Sequence, residues 1–199
     1  MSEHTMSMKP LTAYAPASIG NVSLGFDLLG AAIKPIDGSL LGDEVSVELA
    51  EQFNLTVQGR FADKLPPDQQ SNIVTKCYQY FVSLLGNKGY ASNDIPALKM
   101  VLYKHLPIGS GLGSSASSIV AALHALNQFY SDYFKKEICT QNELLLVMGE
   151  LEGQISGSVH YDNVAPCYLG GLTLMAQHQQ QIALQLPVFK HWYWVACYS

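Results

Sequence analysis

The chain has 199 residues, of which 48% are hydrophobic and 14% are charged, a composition typical of a globular domain and unlike that of a disordered chain. Its net charge of −5 and its 11 scattered lysines and arginines argue against a nucleic-acid-binding surface. No apolar run reaches the roughly 18 residues of a membrane span, and the first residues lack the apolar core of a signal peptide. The four cysteines lack zinc-site spacing, so we expect free thiols and a cytoplasmic protein with small-molecule partners, no nucleic acid and no membrane.

Periodicity and turn signals predict the secondary structure in chain order. A disordered leader is expected over residues 1–10, followed by strands near 11–17, 44–49 and 53–58, the last two as an antiparallel pair. A helix opened by Pro66–Asp68 follows, and then a strand over 97–103. The later pattern predicts helices over 115–130 and 143–153, the second capped by Asn142, and strands over 172–176 and 191–199. This order favours an α+β fold with helices covering one face of a largely antiparallel sheet.

A glycine- and serine-rich stretch, residues 107–118, runs directly into a helical pattern. The eleven residues from Pro107 to Ser117 contain three glycines (Gly109, Gly111 and Gly113) and four serines. Glycines let a backbone approach a ligand closely, and the free N–H groups and dipole of a helix N-terminus attract anions. The stretch is therefore interpreted as a phosphate-binding loop, with a tight loop that only caps a buried helix as the alternative.

Three well-known motifs do not fit this loop. It lacks the lysine and threonine of a Walker P-loop, and its glycine spacing differs from that of a dinucleotide-binding fold. A nucleophile elbow needs a second glycine where this chain has Ser117. A serine hydrolase therefore remains open only as a weakly supported alternative.

The stretch Pro107-Ile-Gly-Ser-Gly-Leu-Gly-Ser-Ser-Ala resembles the P-x-x-x-G-L-G-S-S-A signature of the GHMP kinases, which include galactokinases, mevalonate kinases and homoserine kinases. Two further stretches are similar to the homoserine kinase members. They are Tyr14-Ala-Pro-Ala-Ser with Asn21 and Gly25-Phe-Asp27, and Gly157-Ser-Val-His-Tyr-Asp-Asn-Val-Ala-Pro166 before Gly170-Gly171. The resemblance implies a ribosomal protein S5 domain 2-like fold, with an N-terminal ATP-binding domain over residues 11–199.

The resemblance also implies an activity, the ATP-dependent phosphorylation of the L-homoserine side-chain hydroxyl to O-phospho-L-homoserine in threonine biosynthesis. It assigns Ser115 and Glu152 to Mg²⁺, whose preferred ligands are oxygens. It assigns Asn21, Asp27, His160 and Asn163 to homoserine. The residues implied to wrap the ATP phosphates are Pro107, Ile108, Gly109, Ser110, Gly111, Leu112, Gly113, Ser114, Ser115, Ala116 and Ser117.

Asn163 bears on the mechanism because it lies eleven residues after Glu152. The related sugar and mevalonate kinases carry an aspartate at this spacing, which serves as the base, whereas homoserine kinases share the asparagine. The resemblance therefore implies in-line attack without a protein base, with Asn163 as an orienting residue. Phosphoryl transfer tolerates this because its loose transition state depends mainly on positioning and charge neutralisation.

The resemblance also implies a second domain beyond this chain, carrying a third glycine-rich motif and the arginines that bind the substrate carboxylate. We therefore expect the 199 residues, a truncated chain in this interpretation, to bind nucleotide weakly and to turn over little. A homodimer is one expected assembly. Two alternatives stay open: a non-catalytic binding protein that keeps the fold, and a GHMP kinase acting on a different alcohol.

Overall fold

A computed structural model of the chain describes residues 8–23, 25–178 and 181–195. Three short 3₁₀ turns lie at 62–64, 69–71 and 92–94. The described helices and strands are, in chain order, β1 (Leu11–Ile19), β2 (Leu29–Ile33), β3 (Gly42–Leu49), β4 (Asn54–Gln58), α1 (Ile73–Asn87), β5 (Leu98–Tyr103), α2 (Ser114–Phe134), α3 (Gln141–Ser156), α4 (Val164–Leu169), β6 (Leu172–His178) and β7 (Gln181–Leu186).

The strands form one seven-stranded sheet in the order β4-β5-β3-β1-β2-β6-β7. All neighbouring strands are antiparallel except β4 and β5, which are parallel. The predicted α+β fold with a mostly antiparallel sheet is confirmed. The predicted antiparallel pairing of residues 44–49 with 53–58 is wrong, because β5 lies between these two strands.

The position of β5 explains that error. β5 is an interior strand between β4 and β3, and its inward residues Leu98, Met100 and Leu102 are at most 1% exposed. The polypeptide reaches it from β4 through α1, and a parallel connection of this kind needs such a crossover. Alternation along a strand indicates which face is buried, but it does not identify the neighbouring strand.

The core lies between the sheet and helix α2, which packs against β1 and β3. The inward positions of β1 are Ala13, Ala15 and Ala17, all small and at most 5% exposed. Small side chains let a helix lie close to a strand, and the opposing face of α2 supplies the larger residues Ile119, Leu123, Leu126 and Phe129. The start of α2 is therefore held firmly against the end of β1.

Two helix starts differ from the predicted ones. Helix α1 begins at Ile73 rather than at Pro66–Asp68, because the Asn72 side chain accepts the Val74 N–H at 2.9 Å and caps the first turn. Helix α3 is capped by Thr140 rather than Asn142. The Thr140 hydroxyl and the Glu143 carboxylate form a reciprocal capping box.

The polar stretch after α3 and the end of the chain also differ from expectation. Helix α4 and strand β7 are absent from the prediction, whereas the predicted strand over 191–199 does not form in its described part, residues 191–195. Residues 1–7 of the predicted leader and residues 196–199, including Cys197, lie outside the described residues.

The other three cysteines, Cys77, Cys139 and Cys167, are buried free thiols. Among the described helices, none is long and apolar enough to cross a membrane.

Candidate active site

A cleft of about 660 Å³ opens beside the start of α2. This volume lies within the range of small-molecule sites. Four parts of the chain form its walls: the turn after β1, the segment leading into α1, the loop between β5 and α2, and the end of α3 with the turn that follows. The lining includes Gly20, Asn21, Leu65, Pro66, Ile73, Lys104, Ile108, Gly109, Ser110, Gly111, Gly113, Ser114, Ser115, Glu152, Ile155 and Asn163.

The loop between β5 and α2 has a backbone that only glycines adopt easily. Gly109, Gly111 and Gly113 have φ angles of 71°, 72° and 62°, all in the left-handed region. Gly113 is the residue before the first turn of α2, and no side chain caps that turn. The predicted loop therefore has a glycine backbone beside an uncapped helix start at the cleft, as is typical of an anion site.

A buried ion pair, Lys104 with Asp43, lies beneath this loop and hydrogen-bonds to the start of α2. The Lys104 ammonium donates to Asp43, to the Ser114 carbonyl at 2.8 Å and to the Ser118 hydroxyl at 3.0 Å. Asp43 also accepts the N–H groups of the two residues after Lys104, at 2.8 and 3.0 Å. Burial lowers the pKa of Lys104, while the nearby Asp43 raises it. The sequence pattern does not predict this pair, because its members are 61 positions apart and belong to no motif.

Ser115 and Glu152 meet at the cleft, as the predicted metal site requires. The Ser115 hydroxyl donates to Glu152 Oε1 at 2.6 Å, which joins the first turn of α2 to the end of α3. Glu152 is 9% exposed. Burial raises the pKa of its carboxyl, and the hydrogen bond from Ser115 lowers it by a smaller amount. A hydroxyl and a buried carboxylate on one cleft wall form an oxygen donor set that suits a hard divalent cation.

Three of the predicted substrate residues, Asn21, Asp27 and His160, lie next to one another. Asn21 Oδ1 accepts the Asp27 N–H at 2.7 Å, and His160 Nδ1 lies 3.5 Å from Asp27 Oδ1. Asn21 and Asp27 have φ angles of 54° and 55°. Asparagine and aspartate adopt this left-handed backbone more readily than other non-glycine residues, because their short polar side chains can hydrogen-bond locally. Asn21 lines the cleft, whereas Asp27 and His160 lie beyond it.

Asp162 belongs to the same group, although the sequence pattern does not predict it. One ligand atom from each of Asp27, His160 and Asp162 lies within 4.8 Å of the others, a spacing that one cation can bridge. Asp162 is 2% exposed and accepts the Asn21 N–H at 3.1 Å. Burial raises the pKa of its carboxyl. A Cβ at Gly20 would lie 2.1 Å from Asp162 Oδ2, so a glycine is needed beside it.

Asn163 is half-buried, lines the cleft and lies between Gly20 and the phosphate loop residue Gly113. A Cβ at Gly113 would lie 3.2 Å from Asn163 Oδ1. The remaining residues predicted to wrap phosphates are not all at the cleft: Pro107, Leu112, Ala116 and Ser117 do not line it. The Ser117 hydroxyl donates to the Ala15 carbonyl and accepts the Asp43 N–H, and its own N–H bonds Gly113 O, so this serine fastens α2 to the sheet.

Comparison with known families identifies the fold and its loop. The family described as "GHMP kinases N terminal domain" matches residues 72–171, half of the chain, and the match includes the phosphate loop, Glu152 and Asn163. The chain belongs to the GHMP kinases. Within this family, the loop between β5 and α2 corresponds to the signature stretch recognised in the sequence.

Solved structures of other GHMP kinases have the same fold. A homoserine kinase from Cytophaga hutchinsonii has a TM-score of 0.72 and 32% identity, covering 94% of this chain and 55% of that one. A Methanococcus jannaschii mevalonate kinase has a TM-score of 0.61 and 14% identity, and the match covers 92% of this chain and 57% of that one. A Lactococcus lactis galactokinase complexed with galactose has a TM-score of 0.60 and 16% identity, and the match covers 92% of this chain and 48% of that one. The chain thus spans about half the length of these kinases.

Proposed function

We propose that this chain is the phosphate-binding half of a homoserine kinase, which transfers the γ-phosphoryl group of ATP to the side-chain hydroxyl of L-homoserine. The activity is proposed for the whole protein, because the chain spans 55% of the Cytophaga homoserine kinase. Nucleotide and acceptor binding are proposed for the residues described above. The product would be O-phospho-L-homoserine, an intermediate of threonine synthesis.

The observation that carries the choice of acceptor is the pair of carboxylates beside Asn163. Asp27 and Asp162 lie with His160 in one cluster next to the cleft residue Asn21, and their charge suits an ammonium group. Asn163 follows Asp162 directly in the chain and approaches the phosphate loop. L-homoserine carries an ammonium group and a terminal hydroxyl on one short chain, whereas mevalonate and galactose have no ammonium group. The 32% identity to a homoserine kinase supports the same choice.

ATP fits the cleft on both its polar and its apolar walls. The glycine loop and the α2 start would take the phosphates. The cleft lining also includes Leu65, Pro66 and Ile73, together with Ile108 and Ile155, which are 47% and 51% exposed. Exposed apolar side chains beside a phosphate site suit the flat face of a nucleobase. Of these apolar residues, Ile108 belongs to the predicted phosphate loop, and the other four belong to no predicted site.

Mg²⁺ fits the pair formed by Ser115 and Glu152. Their oxygens lie 2.6 Å apart on the cleft wall, and burial leaves the Glu152 carboxylate poorly solvated. Both residues would hold the ion together with phosphate oxygens and water. When bound, the ion would neutralise charge on the phosphates.

Asn163 would orient the acceptor hydroxyl rather than remove its proton. An amide does not accept a proton near neutral pH, and a hydrogen bond from its NH₂ group can fix the hydroxyl oxygen in line with the phosphoryl group. Asp27 and Asp162 would hold the ammonium group, so the hydroxyl end of homoserine extends towards the loop. The hydroxyl proton would leave late, to a phosphate oxygen.

A comparison of acceptors tests the proposal. The full-length protein is given MgATP with L-homoserine, mevalonate or galactose, and kcat/KM is measured from ADP formation. We expect L-homoserine to be preferred over both other acceptors by at least roughly a thousandfold, because a site built for a charged group rejects analogues that lack it. Equal or better turnover of mevalonate or galactose would assign the protein to a different alcohol, and ADP binding without any transfer would favour a non-catalytic protein.

A further inference from the structure

Ser18 is a fully buried residue near the end of β1 that has no role in the function proposed above. Its side chain is 0% exposed. Its backbone N–H donates to the Leu112 carbonyl at 3.1 Å, and its hydroxyl donates to Asn163 Oδ1 at 3.2 Å. One residue thus contacts the phosphate loop through its backbone and the acceptor-orienting amide through its side chain.

The hydrogen bond from Ser18 decides which end of the Asn163 amide faces a ligand. A carboxamide has one accepting oxygen and one donating NH₂ group. Because Oδ1 accepts from Ser18, the NH₂ group is the end left for the cleft. Asn163 Nδ2 lies beside Gly20, where a Cβ would be 2.7 Å away, and it makes no hydrogen bond with the residues that the structure describes. Asn163 therefore presents a donor, which suits a hydroxyl or phosphoryl oxygen.

Gly113 keeps this arrangement in place by leaving room for it. A Cβ at Gly113 would lie 2.1 Å from Ser18 Oγ, closer than two unbonded atoms can approach. Gly113 is also the residue before the first turn of α2, so the Ser18 hydroxyl fills the space that its missing side chain leaves. The phosphate loop, Ser18 and Asn163 thus form one packed unit, in which the orientation of the amide depends on the hydroxyl.

We propose that Ser18 is a positioning residue whose hydroxyl holds Asn163 with its NH₂ group towards the acceptor hydroxyl, and whose N–H fixes the adjacent phosphate loop. This inference rests on the proposed function, in which Asn163 orients the acceptor. Ser18 acts through Asn163 and touches neither substrate. Its loss removes an orienting hydrogen bond, while the backbone bond to Leu112 and the phosphate loop remain.

A functional double-mutant cycle in the full-length protein tests this coupling. Ser18→Ala should lower kcat for L-homoserine roughly 10- to 100-fold and leave KM for ATP unchanged. The double variant with Asn163→Ala should be no slower than Asn163→Ala alone, because Ser18 acts only through that amide. Ser18→Cys keeps the size with a weaker donor and should be intermediate. Wild-type kcat in Ser18→Ala, or multiplicative losses in the double variant, would overturn the proposal.

A spectroscopic measurement separates this inference from the proposed function, because it needs no turnover. In ¹⁵N-labelled protein, the side-chain amide resonances of Asn163 are identified by their loss in Asn163→Ala. Ser18→Ala should shift this pair, whereas Ser83→Ala, which changes an exposed serine of α1, should leave it in place. If the Asn163 amide resonances shift but homoserine is not phosphorylated, the positioning role of Ser18 stands and the proposed acceptor is wrong. An unshifted pair overturns the role of Ser18.

Discussion

Lys104 and Asp43 form an ion pair beneath the phosphate loop, with side chains that are only 2% and 0% exposed. The pair joins the start of β3, the residues after β5 and the first turn of α2. This position indicates that the conformation of the phosphate loop depends on the buried ion pair as well as on the three glycines of the loop. Removing one partner would leave the other charged and buried.

Lys104→Met should therefore destabilise the protein by about 3–5 kcal/mol, measured by urea unfolding. Adding Asp43→Asn removes the unpaired charge and keeps an oxygen for the N–H groups of His105 and Leu106, so the double variant should recover part of this loss. If the losses of unfolding free energy in Lys104→Met and Asp43→Asn simply add in the double variant, the two residues are not coupled, which would contradict the ion pair.

Glu152→Gln should stabilise the protein at neutral pH while weakening the proposed Mg²⁺ site. The pKa of Glu152 is raised in the folded state, so the stability that this group contributes is present below its unfolded pKa and is lost as the pH rises through the folded pKa. Glutamine removes that cost and still accepts the Ser115 hydroxyl. We expect Tm to rise at pH 7.5, and each kcal/mol of added stability raises Tm by about 2–4 °C in a domain of this size.

The same variant should bind MgADP at least roughly tenfold more weakly in calorimetry, because the ion loses a charged oxygen. Glu150→Gln is the matched control, since Glu150 lies one half-turn away on α3 and bonds the Tyr80 hydroxyl outside the cleft. In the wild type, affinity for MgADP should fall as the pH drops through the raised pKa of Glu152. A Glu152→Gln protein that is less stable than the wild type would contradict the stability prediction, and unchanged MgADP affinity would contradict the proposed metal site.

Asp162→Asn should raise KM for L-homoserine roughly tenfold or more and leave KM for ATP unchanged, because one carboxylate facing the ammonium group is lost. Asparagine still accepts the Asn21 N–H, so the loop should keep its shape. Discrimination between L-homoserine and 4-hydroxybutyrate, which lacks the ammonium group, should shrink. Asp132→Asn, an exposed change on α2, is the control. Undiminished discrimination in Asp162→Asn would exclude Asp162 from the ammonium site.

Asn163→Ala should lower kcat about 100-fold through loss of orientation, while KM for ATP stays the same. The shape of the pH profile of kcat should not change, because an amide does not titrate in this range. Asn87→Ala, at the exposed end of α1, serves as the control in the same steady-state assay. Unchanged kcat and KM for homoserine in Asn163→Ala would remove this residue from the mechanism.

The sequence predicts the phosphate loop well, because its chemistry is local. Three glycines before a helix specify a backbone conformation with little help from distant residues, and the structure gives all three left-handed φ angles. The meeting of Ser115 with Glu152 depends on how α3 packs against α2, 37 positions away. Resemblance to a family, and not spacing, makes that contact predictable.

Other features depend on burial and strand order, which local patterns do not encode. Asp162 stands between two residues predicted to bind substrate, yet its proposed role is inferred from its 2% exposure and its position beside Gly20. Lys104 and Asp43 become neighbours only because β5 is inserted beside β3. The incorrect pairing of β3 with β4 has the same origin, since alternation indicates a buried face and not a partner.

The most direct measurement is the fate of the γ-phosphoryl group of ATP when the full-length protein is given L-homoserine and Mg²⁺, followed by ³¹P NMR. We predict a phosphomonoester on the side-chain oxygen of homoserine, formed one for one with ADP. No such signal should form with L-2-aminobutyrate, which keeps the ammonium and carboxylate groups and lacks the hydroxyl. ADP production without phosphorylated homoserine, or the same product yield in the absence of the side-chain hydroxyl, would contradict the proposed reaction.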